Sequence, residues 1–182
     1  ILGLETGGDF NGSIQASDDA GLDGRVSFMA QSDLLLPWLS VLDNIVIGAQ
    51  LRGETPDYER AKSLLERVGL SGHQNKKPPT LSGGMRQRTA LARTLMEDRP
   101  VVLLDEPFSA LDAFTRSALQ EEVPSICKAL NITMVTVTHD IDEAITMADR
   151  VMIMAQNPGQ IVSELKVDLP WPRRHMDHKC QQ

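Results

Sequence analysis

A continuous apolar run that ends in two carboxylates constrains this chain more than any other stretch. Val101 to Leu104 are apolar without interruption, and Asp105 and Glu106 follow directly. Such a run is typical of a strand covered on both faces of a parallel sheet. Because ligands bind at the carboxyl edge of these sheets, the two acids are placed to meet a metal ion and a phosphate chain. The stretch predicts an α/β fold with a site at that edge.

A glycine-rich turn and a helix precede this run. Ser82, Gly83 and Gly84 lead into a predicted helix from about Met85 to Glu97. Glycines remove side chains where a ligand must approach the backbone, while a serine hydroxyl and the first free N–H groups of a helix point at an anion. The same residues are equally typical of a simple cap and turn. The motif alone leaves both interpretations open.

Further strands are predicted on either side of this region. They are Arg25–Ala30, Ile132–Thr138 and Arg150–Met154, with Gln160–Leu165 returning as a hairpin. From residue 101 onward, the order strand, helix, strand, helix, strand predicts a parallel α/β core with right-handed crossovers.

Capping signals predict the helices between these strands. Ser40 with Asp43 and Asp140 with Glu143 have capping-box spacing, and Thr55 can cap a helix whose first position is Pro56. The predicted helices run from Ser40 to about Leu51, from Thr55 to Gly69, from Ala113 to Leu130, and onward from Asp140. Pro124 predicts a kink or break in the third of these.

Composition excludes several classes of protein. With 182 residues, 41% of them hydrophobic, the chain can bury one substantial core and a smaller lobe. A formal net charge of -7 gives no basic footprint, which argues against nucleic acid as a partner. Cys127 and Cys180 lack metal-ligand spacing, and His175 with His178 is too small a set for a metal site. No apolar stretch approaches the length of a membrane span, so we expect any membrane role to depend on a partner.

Two polar residues follow predicted strands. Gln31 comes directly after the first strand, and His139 comes after the strand that ends at Thr138. Each residue is ordinary in isolation.

Four features in a fixed order are together highly specific. They are a glutamine, an LSGG turn, an apolar run ending in Asp-Glu and a histidine. The pattern resembles the nucleotide-binding subunit of ATP-binding cassette (ABC) transporters over nearly the whole chain. The segments LLPWLSVLDNI, LSGGMRQR and DEPFSALDAFTR are similar to the importer ATPases for nitrate, sulfonate and taurine.

The resemblance implies an α/β fold with a P-loop NTPase-type parallel sheet core, incomplete at the N-terminus, and an inserted helical subdomain. Residues 1–182 would be a single nucleotide-binding domain fragment. The Q-loop and the helical subdomain with its signature helix would span 32–98. The Walker B, D-loop and H-loop core would span 99–166, and 167–182 would be a loose tail.

The resemblance also implies roles for single residues, with ATP and Mg²⁺ as cofactors. Asp105 would end the Walker B strand and hold Mg²⁺. Glu106 would be the general base that polarises the attacking water. His139 would be the switch histidine, which contacts the γ-phosphate. Gln31 would be the Q-loop glutamine, which links the metal and the water to the helical lobe.

Partners follow from the same resemblance. Ser82, Gly83 and Gly84 would complete the ATP site of a second, identical ATPase subunit, and the D-loop that ends at Asp112 would cross the dimer interface. The Gln31–Leu39 region would dock on the transmembrane permease, placing the chain peripherally at the cytoplasmic face of the membrane. A periplasmic or extracellular solute-binding protein would be an indirect partner.

Two departures from the family pattern stand out. Met85 replaces the final glutamine of the signature, although the contacts of the backbone and of Ser82 would survive that change. The 182 residues contain no Walker A loop, G-x-x-x-x-G-K-S/T. Ile1-Leu2-Gly3-Leu4 matches the end of the helix that follows this loop in the family. We therefore expect a chain truncated at its N-terminus, with little ATPase activity by itself.

Two other functions compete with this interpretation. A non-transport ABC ATPase that acts on chromosomes or in DNA repair would carry long coiled coils between Gln31 and Leu81 and a basic stripe, and this chain has neither. A non-catalytic regulatory module would have no use for Glu106 and His139. The transported substrate cannot be inferred from the sequence, because the cassette never touches it.

Overall fold

A parallel sheet forms the centre of the fold in the computed structural model, which describes Ile14, residues 16–171 and Arg173. Its strands are β1 (Val26–Met29), β2 (Val101–Asp105) and β3 (Thr133–Val137), in the order β1-β2-β3. A separate antiparallel pair joins β4 (Arg150–Ala155) to β5 (Gln160–Lys166). The predictions for Ile1–Leu4, His175, His178 and Cys180 lie outside the described residues.

Five helices are seen in the described part of the chain. They are α1 (Val41–Leu51), α2 (Tyr58–Arg67), α3 (Gly83–Met96), α4 (Ala113–Ala129) and α5 (Ile141–Met147). The first three pack on one another, and α3 also packs against β1, whereas α4 contacts β3 and α5. Buried side chains from the helices and the sheet form a hydrophobic cluster that includes Ile45, Leu64, Leu91, Leu104 and Ile126. The predicted α/β core with an inserted helical region is confirmed.

The strand register brings three strand ends to the same edge of the sheet. Met29 pairs with Leu104, Leu104 pairs with Thr136, and Asp105 pairs with Val137. The residues that follow each strand therefore emerge together, although they are far apart in sequence. This alignment positions the site described below.

The two faces of the parallel sheet differ in coverage. On one face Met29 is 2% exposed and Leu104 is 1% exposed. On the other face Phe28 and Val135, which flank Leu103 in register, are 41% and 48% exposed. The predicted coverage of both faces is therefore wrong for the described part of the chain.

The strand β4 also departs from the predicted parallel core. Its described partner is β5, which returns in the antiparallel direction after a short turn. The hairpin provides hydrogen-bond partners for the backbone of β4. Closing its short loop costs little conformational entropy, because β5 follows β4 directly in the chain.

Helix start signals were mostly correct. Ser40 caps α1 by accepting a hydrogen bond from the N–H of Asp43 at 3.1 Å, as predicted. For α2 the predicted Thr55 cap is wrong, because Asp57 accepts from the N–H of Arg60 at 2.9 Å. An aspartate is at least as favourable an N-cap as a threonine, so the helix begins later.

Pro124 does not break α4, which runs without interruption from Ala113 to Ala129. A proline removes one backbone hydrogen bond from a helix. Here Val123 and Ile126 are fully buried on either side of it. Their packing against the core holds the helix together through the defect.

The C-terminal segment is not the predicted loose tail where the structure describes it. Arg173 is only 3% exposed, and its guanidinium lies 4.4 Å from the ring centroid of Trp171. The same guanidinium donates to the carboxylate of Asp149 and to the carbonyl oxygens of Ile145, Ala148, Val167 and Leu169. A buried arginine that is bonded in this way fixes Trp171 and Arg173 against the end of α5.

Asn44 holds the apolar turn that precedes α1. It is fully buried, and its Oδ1 accepts from the N–H of Leu36 at 2.8 Å. Its Nδ2 donates to the carbonyl oxygens of Leu36, Leu39 and Ser40, at 3.1, 3.3 and 2.9 Å. One side chain thus satisfies one N–H group and three carbonyl oxygens of this turn.

Replacing Asn44 with alanine should lower the free energy of unfolding by about 1–3 kcal/mol, because buried backbone groups lose their partner. Urea denaturation measures the change. Gln50→Ala, on an exposed position of the same helix, should change it by no more than about 0.5 kcal/mol. Equal effects of the two substitutions would refute this role of Asn44.

Candidate functional site

Glu106 occupies the centre of the candidate site, directly after β2. Its backbone N–H donates to the carbonyl oxygen of Val137 at 2.9 Å, which extends the pairing with β3 by one residue. Its φ of 46° lies in the left-handed region, which is unfavourable for a residue with a side chain. Strained backbone of this kind concentrates at functional sites, where the surrounding structure maintains it.

Two predicted site residues hold the Glu106 carboxylate from opposite sides. The Nε2 of Gln31 donates to Oε2 at 3.1 Å. The Nδ1 of His139 lies 3.1 Å from Oε1. Because an ionised carboxylate only accepts hydrogen bonds, Nδ1 must carry the proton in this contact, which leaves Nε2 of a neutral ring as an acceptor. The side chain of His139 is 78% exposed, so the ring is accessible to a ligand.

Asp105 lies at the tip of β2 beside this triad, half-buried. The described residues contain no group of three or more His, Cys, Asp or Glu side chains that could hold a metal ion. Mg²⁺ usually takes only one or two carboxylates and completes its shell with phosphate oxygens and water. The carboxylate of Asp105 and the amide oxygen of Gln31 fit that requirement as oxygen donors.

The start of α3 is a true helix cap. Ser82 accepts from the N–H of Met85 at 3.2 Å, and the helix begins at Gly83. A Cβ on Gly84 would lie 3.1 Å from Leu111 Cδ2 and 3.3 Å from the carbonyl oxygen of Ala110. Close packing against Ala110 and Leu111 therefore explains why a glycine is present at position 84. The capping interpretation is confirmed, and the binding of an anion by Ser82, Gly83 and Gly84 stays a prediction.

Asp112 also has a local structural role. It is exposed and caps α4, accepting from the N–H of Thr115 at 3.0 Å. This hydrogen bond holds the pKa of Asp112 below its usual value. Its predicted contact with a second subunit stays a prediction.

Two arginines of α3 were not predicted as site residues, yet they clamp the loop that follows Gln31. Arg93 donates to the carbonyl oxygens of Asp33 at 2.7 Å and Leu34 at 2.8 Å. Arg86 donates from Nε to the carboxylate of Asp33 at 3.0 Å. The only sequence signal for this clamp was their spacing, two turns apart on one helix face.

A buried acid on α5, Glu143, was predicted only as part of a capping box. Glu143 is 4% exposed, and Gln120 donates to its Oε2 at 3.3 Å. Burial raises the pKa of Glu143, and Asp140 adds to the rise, while contacts with Gln120, Thr138 and Arg116 oppose it. Asp140 accepts from the N–H of Glu143 at 3.1 Å, so half of the predicted capping box is present.

A second buried titratable group is the thiol of Cys127. Cys127 is buried in α4, and burial raises the pKa of its thiol to about 11. A thiol with so high a pKa stays protonated at neutral pH and is a poor nucleophile. Cys127 is part of the hydrophobic core, at 3% exposed.

These features define a class of protein. A parallel sheet presents a carboxylate held by an amide and an imidazole at its carboxyl edge, beside a glycine-rich helix start, as in nucleotide-hydrolysing cassettes of the P-loop NTPase fold. A family model described as "ABC transporter" matches residues 5–109. The chain belongs to the ABC transporter family, whose ATP-binding cassettes hydrolyse ATP.

Comparison with individual proteins agrees. The chain is 44% identical over 179 residues to the "Aliphatic sulfonates import ATP-binding protein SsuB 2" of Pseudomonas syringae pv. tomato, covering 97% of this chain and 72% of that protein. It is 41% identical to the SsuB protein of Bacillus cereus, covering 100% of this chain and 72% of that protein. Some other SsuB relatives are covered over only 65% of their length.

Solved structures give the same answer. A dimeric ATP-binding cassette in a post-hydrolysis state with ADP and Pi superposes with a TM-score of 0.70 at 31% identity, covering 79% of this chain and 63% of that chain. A dimeric bacterial ABC transporter cassette gives a TM-score of 0.71 at 29% identity, covering 80% of this chain and 65% of that chain. Helices long and apolar enough to cross a membrane are not found among the described residues.

Glu143 gives the fold a pH dependence that can be measured. Its pKa is raised in the fold above the ordinary value of 4.5. The folded state therefore binds the proton more tightly, and stability is lost as the pH rises from 4.5 through the folded-state pKa. Relative to the unaltered protein, Glu143→Gln should become more stable as the pH increases over this range.

Urea denaturation at a series of pH values tests this expectation. Glu66→Gln removes an exposed carboxylate from α2 and serves as the matched control. It should follow the pH profile of the unaltered protein. A Glu143→Gln profile that runs parallel to that of the unaltered protein would contradict the assignment.

Proposed function

We propose that this cassette energises the import of aliphatic sulfonates or closely similar small anions. The observation that carries the catalytic part is the Glu106 carboxylate, held by Gln31 and His139 at 3.1 Å each. The names of the relatives support import and the class of substrate. Nitrate and taurine, expected from the resemblance to this importer group, stand as alternative substrates.

Glu106 acts as the general base. Its two oxygens each accept one hydrogen bond from the protein, and each keeps a further lone pair for a proton of water. Gln31 and His139 fix the orientation of the carboxylate before the reaction, which removes the need to reorganise it. His139 can use its second ring nitrogen toward the transferred group. When bound, ATP with Mg²⁺ would supply the phosphoryl group and offset its charge, and Asp105 and Gln31 would be the residues that hold the metal.

A second copy of the chain completes each site. In this proposal Ser82, Gly83 and Gly84 face the nucleotide held by the other copy, because a helix start offers N–H groups and a positive dipole end to an anion. Asp112 and the loop before it lie at the interface between the copies. The dimeric state of both superposed cassettes supports this arrangement.

An apolar surface after Gln31 is the proposed docking site for a permease. Leu34 and Trp38 are each 65% exposed. Asn44 and Arg93 hold the backbone beneath them, so the surface is ordered without a partner. Large exposed apolar side chains on fixed backbone are typical of protein interfaces. Docking there would place the cassette peripherally on the cytoplasmic face, and the external solute-binding protein would act only through the permease.

Glu106→Gln should abolish hydrolysis while leaving ATP binding intact. Loss of a general base lowers kcat by about 10²–10⁴-fold, whereas the amide keeps the shape of the side chain. Steady-state hydrolysis and nucleotide binding are measured on the full gene product that carries these residues. Asp142→Asn, which changes an exposed acid three residues after His139, should keep normal activity. Hydrolysis by Glu106→Gln within a few-fold of normal would exclude Glu106 as the base.

Trp38→Ala should weaken co-purification with the permease and uptake of an aliphatic sulfonate, with hydrolysis by the isolated subunit unchanged. Truncating an interface anchor costs about 2 kcal/mol or more in binding, or about thirtyfold in affinity. The control is Leu51→Ala. It removes an apolar side chain that is 80% exposed at the C-terminal end of α1, whereas Trp38 precedes that helix. Equal permease binding by the two variants would exclude this surface.

A further inference from the structure

Gln87 is a buried amide on α3, 4% exposed, whose hydrogen-bonding atoms meet the loop after β2. Its Nε2 donates to the carbonyl oxygen of Glu106 at 3.0 Å and to the hydroxyl of Ser109 at 3.3 Å. Its Oε1 accepts from the N–H of Ala110 at 2.9 Å. A buried amide with these hydrogen bonds fixes Glu106 and the segment that follows it. Breaking the bonds would leave polar atoms unpaired in the interior.

The first group fixed by Gln87 is the strained backbone of Glu106. The carbonyl oxygen of Glu106 also accepts from the backbone N–H and the hydroxyl of Ser109, at 3.3 and 3.1 Å. Gln87 is the contact of this carbonyl that comes from another element of the fold. The position of the Glu106 carboxylate therefore depends on where α3 lies.

The second group is the segment after Glu106. Gly84 lies one helical turn before Gln87 and packs so closely on Ala110 and Leu111 that a Cβ would crowd them at 3.3 and 3.1 Å. Residues three apart lie on the same face of a helix. Gly84 and Gln87 thus contact the same loop from one turn of α3. A displacement of Ser82–Gly84 would therefore move Glu106 through rigid helix contacts and not through a flexible segment.

We propose that Gln87 is a positioning residue that transmits occupancy of the Ser82–Gly84 helix start by the other copy's nucleotide to the general base Glu106. This inference rests on the proposed function, in which these two places serve different nucleotides. Binding at one site would then set the geometry of hydrolysis at the other. Hydrolysis is accordingly cooperative in ATP, and Gln87 carries part of that cooperativity.

Two substitutions separate the donor contacts of the amide from its acceptor contact. Gln87→Met keeps the length of the side chain but removes both the donor and the acceptor. Gln87→Glu keeps an acceptor for the N–H of Ala110 and replaces the donor to Glu106 by a second acceptor. Because the proposal assigns the effect to the Glu106 contact, both variants should behave alike.

The matched control is Thr94→Val. Thr94 is also buried on α3, at 4% exposed, and its hydroxyl donates at 2.9 Å to Ala90 within the same helix. This substitution removes a buried hydrogen bond without touching the loop after β2. It should change stability and leave the kinetics unaltered.

The experiment measures ATP hydrolysis against ATP concentration on the full gene product, with urea denaturation of each variant in parallel. Both Gln87 variants should lose about a hundredfold in kcat, the size expected for a misplaced catalytic group, and their Hill coefficient should fall toward one. ATP affinity measured in the Glu106→Gln background should stay within about threefold, well under 1.4 kcal/mol. Gln87→Glu preserves shape and provides the readout if Gln87→Met does not fold.

Three results would overturn the inference. They are a normal kcat and Hill coefficient in both Gln87 variants, a Hill coefficient of one in the unaltered protein, and an equal kinetic loss in Thr94→Val. Absence of any ATP hydrolysis by the unaltered gene product would instead overturn the proposed function, so the two failures are distinguishable.

Discussion

The hydrogen-bonded carboxylate of Glu106 is the interaction on which the rest of the site depends. Its partners come from residues 31 and 139, each next to a different strand end. The aligned ends of three parallel strands bring these distant residues together. The backbone N–H of Glu106 also donates to Val137 in β3, and the φ of Glu106 lies in the left-handed region. The register of the sheet thus brings the Glu106 carboxylate between Gln31 and His139.

Helix α3 connects this edge to the helical lobe. Arg86 and Arg93 hold the loop after Gln31, and Gln87 holds the loop after Glu106. The loop after Gln31 and the loop after Glu106 are therefore both held in place by α3. Since the same helix starts at the glycine-rich turn, a partner or ligand that moves it would act on both loops at once. Asn44 extends this arrangement outward, because it fixes the turn that carries the exposed apolar surface.

Buried polar groups maintain this geometry. Asn44, Gln87 and Glu143 are each less than 5% exposed, and each bonds to a neighbouring loop or helix rather than to its own helix alone. Burial of such groups is favourable only when their partners are in place. The fold therefore tolerates them where they specify one arrangement of the loops. For Glu143 the cost of burying a carboxyl group appears as a raised pKa.

The sequence by itself determined the element order, most capping residues, and the types of residue at the site. Apolar periodicity and the spacing of caps are local properties, so Ser40, the apolar run of β2 and the start of α3 could be predicted. The order of the motifs along the chain was also enough to single out Gln31, Glu106 and His139. Tertiary structure decided which atoms meet, because contacts such as Gln31 with Glu106 join residues 75 positions apart. Gln87 carries no local signal of its role, and the pairing of β4 depends on which partner is nearest. Arg173 is buried where the end of α5, Asp149 and the segment after β5 together provide five acceptors for its guanidinium.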